Sequence, residues 1–200
     1  MTAAGEPVPE GLYAGLTDSV RRLVDVTIRS QAGPAALAAA QAKIDAAVDD
    51  LSHDQLTDSF GIRLAPGGTS RAWGNVVMGL RNAFAPPLVV HRNAHDGRTW
   101  ADVTLGAAYE GPPGHVHGGI CALLLDHMLG ATAHEPGRPA VTGTLTIRYE
   151  AGTPLGPLHA EARVDRVEGR KTFAVGHLAT AEGVTVRAHG VFLHPGPPAR

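Results

Sequence analysis

An aspartate stands in the middle of the least polar stretch of the chain. Ile120 to Leu129 reads ICALLLDHML, apolar on nearly every side of a helical wheel, so the pattern predicts a fully buried helix carrying Asp126. Burying an unpartnered carboxylate is costly. One kept at such a place is a candidate general base or nucleophile; the plainer alternative is an acid that faces water or caps a loop. Just upstream, His117-Gly118-Gly119 falls where that helix should begin. First-turn N–H groups have no partner inside a helix, and the macrodipole adds positive potential there. Glycine lets a ligand come close, so these donors suit a carbonyl oxygen that gains charge during reaction. A simple tight turn is the other use of such a glycine pair. Eight residues separate Gly118 from Asp126, about 12 Å along a helix axis. One carbonyl cannot touch both, so the spacing predicts a site composed from two copies of the chain, which a symmetric dimer forms twice.

Other chemistry is weaker. Cys121 reads as a small buried thiol, since only His117 lies near enough in sequence to favour a thiolate. His115 and His117 alternate, but no His-x-x-x-His pair with an acid occurs in a helical context, so no metal is expected. The chain has neither a Gly-x-Ser-x-Gly elbow nor a phosphate-binding Gly-x-x-x-x-Gly-Lys-Ser/Thr loop.

The elements that must position these groups follow from periodicity. Leu12–Arg29 and Ala35–Leu51 read as amphipathic helices parted by Gly33-Pro34, and residues 52–75 as connection. Leu88–His91 and Thr99–Leu105 read as strands around the turn-prone Asn93–Gly97, and a Gly-Pro-Pro-Gly loop (111–114) leads into the apolar helix. Val141–Glu150 alternates, with Val141, Gly143, Leu145, Ile147 and Tyr149 on one face and Thr142, Thr144, Thr146, Arg148 and Glu150 on the other. Leu158–Val167, Lys171–Thr180 and Val184–Leu193 follow across gaps too short for parallel crossovers. An α+β chain with an antiparallel sheet curled around one buried helix satisfies this order. The expected layout is an N-terminal helical extension over 1–70, a main domain over 71–195 and a tail over 196–200.

Composition narrows the class. The chain has 200 residues, 44% hydrophobic and 18% charged, with a net charge of −2. Such a balance excludes a disordered or supercharged chain, and with only 4% aromatic residues argues against a nucleic-acid binder. One cysteine rules out a disulfide framework. No apolar run approaches the ~20 residues of a membrane span, and MTAAGEPVPEG lacks the layout of a secretory signal. A soluble cytoplasmic protein with no stable membrane insertion is expected.

The stretches GPPGHVHGGICALLLDHMLG, VTGTLTIRYEAGTPLGPL and VDRVEGRKTF resemble the hot-dog-fold acyl-CoA thioesterases, most of all the PaaI-like and THEM (thioesterase superfamily member) group. The resemblance covers roughly residues 99–195. It implies hydrolysis of a coenzyme A thioester, with a medium- to long-chain fatty acyl-CoA as expected substrate and lipid metabolism as setting. It assigns the catalytic aspartate to Asp126, the histidine-glycine pair to His117 and Gly118 with Gly119 beside them, and an assisting threonine to Thr142. It also implies that Arg148, Gly169, Arg170 and Lys171 meet the CoA nucleotide; Lys171 is one of two lysines in the chain, with Lys43. No separate cofactor is implied, since CoA is part of the substrate, and a homodimer that pairs into a tetramer is compatible. Two rivals share the fold: a non-catalytic acyl-CoA-binding module, and a hydratase or dehydratase. The second needs an aspartate and histidine acting together, whereas Asp126 and His127 are neighbours that point about 100° apart on a helix.

Overall fold

The computed structural model describes residues 9–64, 70–86, 88–134 and 139–196. Most of the N-terminal stretch that lacks the layout of a signal, and most of the 196–200 tail, lie outside these residues. The chain divides into two compact units, one reaching to Phe84 and the other beginning at Ala85.

The first unit contains α1 (Glu10–Arg29), α2 (Pro34–Ser52) and a minimal antiparallel pair, β1 (Arg63–Leu64) with β2 (Ser70–Arg71). Both helices are legible from their stripes, and Pro34 opens α2 as its first residue, where a missing N–H costs nothing. Trp73 organises this unit: its ring lies 5.8 Å from both Tyr13 and Phe60. The Arg81 guanidinium stacks 4.0 Å over Tyr13.

The second unit is a six-stranded antiparallel sheet with one long helix on its inner face. In chain order it contains β3 (His91–Arg92), β4 (Thr99–Leu105), α3 (Gly118–Ala133), β5 (Val141–Tyr149), β6 (Gly156–Glu168), β7 (Lys171–Thr180) and β8 (Gly183–Leu193). The spatial order is β3-β4-β6-β7-β8-β5. Strands β6, β7 and β8 form the expected meander through two-residue turns, Gly169-Arg170 and Ala181-Glu182, because Glu168 pairs Lys171 and Thr180 pairs Gly183. Gly169 sits at φ +59°, a region that glycine enters without strain. Strand β5 does not pair β6, its successor in sequence. It lies beyond β8 as an edge strand, and is exposed along most of its length.

The inner face explains how α3 sits so close. Ala160, Ala162, Ala174 and Ala188 are small and buried there, beneath Leu124, Leu125, Met128 and Leu129 of the helix. A side chain at Gly176 or Gly190 would come within 2.7 or 3.0 Å of the Leu129 methyls. Leu129 therefore seats in a groove that only glycine leaves open.

Three expectations need correction. The Leu88–His91 strand is shorter and later, because the Leu88 N–H is held by the Pro86 carbonyl at 2.6 Å and cannot join a ladder. Helix α3 is not buried all round: Leu124, Leu125, Met128 and Leu129 are sealed, whereas Ala122, Leu123, Asp126 and His127 are half-buried. Strand β5 does not alternate throughout. Its register slips between Thr142 and Thr144, so Gly143 is an extra, bulged residue.

Candidate active site

Helix α3 starts on a histidine cap. His117 is extended (φ −60°, ψ 133°), and its Nδ1 accepts the Gly119 N–H at 3.0 Å. With Nδ1 accepting, the proton of the neutral ring sits on Nε2, and the ring presents a donor. The backbone on the other side is fixed as well: His117 N–H donates to the Tyr109 carbonyl at 2.9 Å, and a Glu110–Val116 bridge closes the loop. Gly111 is required beneath it, since a Cβ there would lie 2.7 Å from the His117 Cα. The Gly118 N–H, in contrast, meets no acceptor among the described residues. Of the two glycine donors read from the sequence, one is therefore occupied by His117, and Gly118 retains its N–H for a ligand.

Asp126 lies two turns further along, half-buried, and is not unpartnered. The Thr142 hydroxyl donates to its Oδ1 at 2.9 Å. The bulge at Gly143 is what allows this. Thr142 stands opposite Phe192, Leu145 opposite Gly190, Ile147 opposite Ala188 and Tyr149 opposite Val186, all on the helix side of the sheet. Strict alternation would turn Thr142 to the other side from Leu145; one added residue brings both to the same face. A Cβ at Gly143 would press on Leu193 at 3.0 Å, so glycine suits the bulge. Asp126 Oδ2 accepts no hydrogen bond among the described residues, and is available to a water.

Neighbouring groups divide into spectators and surroundings. Burial holds the His127 imidazole below its usual range, with Asp126 partly opposing, so the ring favours its neutral form. Cys121 is sealed in the helix, and burial raises its thiol above the usual value, which leaves a poor nucleophile. An open cleft of about 440 Å³ lies beside the helix start, between Val116, Gly118, Cys121 and Tyr149 and the 150–153 turn. Asp126 and Thr142 do not line it. Among the described residues, no group of three or more His, Cys, Asp or Glu side chains could hold a metal.

The structure thus brings Asp126 together with Thr142, and His117 with Gly118 and Gly119, but leaves the two groups at different levels of α3. The basic residues are also split. Lys171 and Thr172 pair with Leu193 and Phe192, themselves opposite Val141 and Thr142, so the Gly169–Lys171 turn sits at the Thr142 end of the sheet. Arg148 is six residues on from Thr142 along β5, about 20 Å away, and its Nε lies 3.9 Å from Glu150. Arg170 Nε donates to the His194 carbonyl at 3.0 Å, while Lys171 is exposed. Sequence reasoning misses Tyr149, whose hydroxyl donates to the Gly118 carbonyl at 2.8 Å. Its signal is an aromatic at the end of a strand that borders the helix start. Gly143 is also missed as a bulge, although a glycine inside a strand is a recognised mark of one.

The thioesterase superfamily model matches residues 113–188, a span that holds α3 and most of the sheet. Among curated proteins, the chain is 39% identical over 69 residues to acyl-coenzyme A thioesterase THEM4 of Xenopus laevis, covering 34% of this chain and 31% of that one. It is 32% identical over 91 residues to acyl-coenzyme A thioesterase THEM5 of Homo sapiens, covering 44% and 37%. The match spans about a third of these relatives' length. A putative thioesterase from Ralstonia eutropha, 22% identical with a TM-score of 0.50 over 54% of this chain and 84% of its own, shares the fold. The crystal structure of a thioesterase superfamily protein aligns with a TM-score of 0.79 and 35% identity over 94% of this chain and 96% of its own. A likeness that runs through both units at this identity, together with the hot-dog sheet around α3, settles the kinship: the chain belongs to the thioesterase superfamily.

Proposed function

We propose that the chain is an acyl-CoA thioesterase that hydrolyses a fatty acyl-CoA, medium- to long-chain, to the free acid and CoA. The observation that carries this reading is the Thr142–Asp126 hydrogen bond, which orients a carboxylate on the same helix that offers the open Gly118 N–H. The Gly118 N–H polarises the thioester carbonyl, with the positive end of α3 behind it. Asp126 Oδ2 accepts a proton from water as the water oxygen bonds to the carbonyl carbon; the C–S bond then breaks and the CoA thiolate takes up the proton. Direct attack by the carboxylate is the other course open to the same residue.

Because the two groups stand about 12 Å apart along the helix, Gly118 of one copy serves Asp126 of another in a homodimer. The outer edge of β5, which pairs with no further strand among the described residues, and its exposed Val141 and Tyr149 support such an assembly. The cleft beside Gly118 accommodates acyl carbons, and Lys171 at the Thr142 end of the sheet meets CoA phosphate. No metal or redox cofactor enters this chemistry. A buried, protonated Cys121 suits a reducing, cytoplasmic setting. The partnered state of Asp126 favours the enzyme over a non-catalytic binding module, which has no use for an oriented carboxylate.

The test is release of free thiol from a panel of acetyl through palmitoyl and phenylacetyl CoA. Turnover is expected to rise from acetyl toward the medium and long chains. A panel on which no member is cleaved above the buffer rate overturns the reading.

A further inference from the structure

Tyr149 ends β5 with its ring against the start of α3. A Cβ built on Gly118 would come within 3.3 Å of the Tyr149 ring and hydroxyl, so the phenol rests on that glycine. Its hydroxyl donates to the Gly118 carbonyl at 2.8 Å. That carbonyl shares a peptide with the Gly119 N–H, which donates to His117 Nδ1 at 3.0 Å. The three groups form a directed chain, from phenol to peptide to imidazole, in which each donor is strengthened by the bond it accepts.

We propose that Tyr149 is a positioning residue: held on the Gly118–Gly119 peptide, it fixes the helix start and keeps His117 capped as an Nε2–H donor beside the open Gly118 N–H. The ring stays half outside, and lines the cleft next to Gly118 and Cys121. Burial, with Cys121 adding to it, holds the phenol above its ordinary range, so the hydroxyl keeps its proton and remains a donor at neutral pH. Without the hydroxyl, the first peptide of α3 loses a bond from outside the helix, at the place where helices fray most readily.

The activity arm of the test rests on the thioesterase reading; the spectroscopic arm does not. Tyr149→Phe keeps the ring on Gly118 and removes only the oxygen. In the full chain, the Gly119 amide is expected to exchange with solvent several-fold faster, and the His117 ring nitrogens to shift from a pure Nε2–H pattern toward a mixture. The kcat should fall about 3- to 10-fold, in keeping with one lost hydrogen bond, with KM unchanged and the thermal midpoint lowered by no more than a few degrees. An unchanged Gly119 amide and His117 ring overturn the inference whatever the activity does. So does an unchanged kcat, or a loss that appears in KM alone, which would mark Tyr149 as a binding residue. If the nuclear signals move while wild type cleaves no thioester, the proposed activity falls and the linkage stands.

Discussion

Replacing Asp126 by asparagine is expected to lower acyl-CoA turnover about 10²- to 10⁴-fold, the usual worth of a positioned base. The substitution is close to isosteric. Its amide oxygen still accepts the Thr142 hydroxyl that now reaches Oδ1 at 2.9 Å, so the side chain keeps its place. What disappears is a proton acceptor at Oδ2 and any capacity to attack the carbonyl. Because Asp126 is half-buried and hydrogen-bonded, its charge is neither exposed nor orphaned. Stability should therefore change by only about 0.5 kcal/mol in either direction, as for other partly exposed sites. Turnover and thermal midpoint measured on one preparation separate the roles: a destabilised variant that still turns over would make Asp126 a structural residue.

The second large effect belongs to Gly118→Pro. Proline removes the one N–H at the helix start that meets no acceptor among the described residues. It does so at the first helical position, which tolerates proline well. His117 is already extended at ψ 133°, as a residue before proline prefers. Tyr149 must yield by a few tenths of an ångström, and its exposed ring can do so. The expected loss is about 10²- to 10³-fold in kcat, typical of removing one oxyanion donor, with the helical circular dichroism retained. Gly118→Ala crowds Tyr149 equally but keeps the N–H, and should retain most of the activity. Equal losses in the alanine and proline variants would attribute the effect to crowding.

Much of this arrangement is legible in the amino-acid sequence. The apolar run around Asp126, the strand of Thr99–Leu105 and the β6–β8 meander all carry their period openly. The candidate residues stand out for the same reason: a carboxylate among leucines and glycines at a helix start are local conflicts that point to chemistry. What stays hidden depends on tertiary placement. Period-two reasoning puts Thr142 on the wrong face, because one bulged glycine inverts the alternation and an insertion of one leaves the pattern intact. The Gly119 donor reads as open because the rotamer of His117, which occupies it, leaves no mark in spacing. Tyr149 reads as an ordinary strand aromatic until β5 crosses to the far edge and meets the first turn of α3. The half-buried face of α3 likewise depends on which strands cover it, not on its composition.

The proposed chemistry requires that Asp126 and Gly118 complete each other across two copies of the chain. Asp126→Asn and Gly118→Pro chains, each nearly inactive alone, can be mixed in equal amounts and allowed to exchange subunits. Half of the dimers are then mixed, and each mixed dimer holds one site with both an intact carboxylate and an intact N–H, so about a quarter of wild-type turnover should return. Mixed dimers that form, as native mass spectrometry can verify, yet show no activity above the separate variants would contradict the shared site.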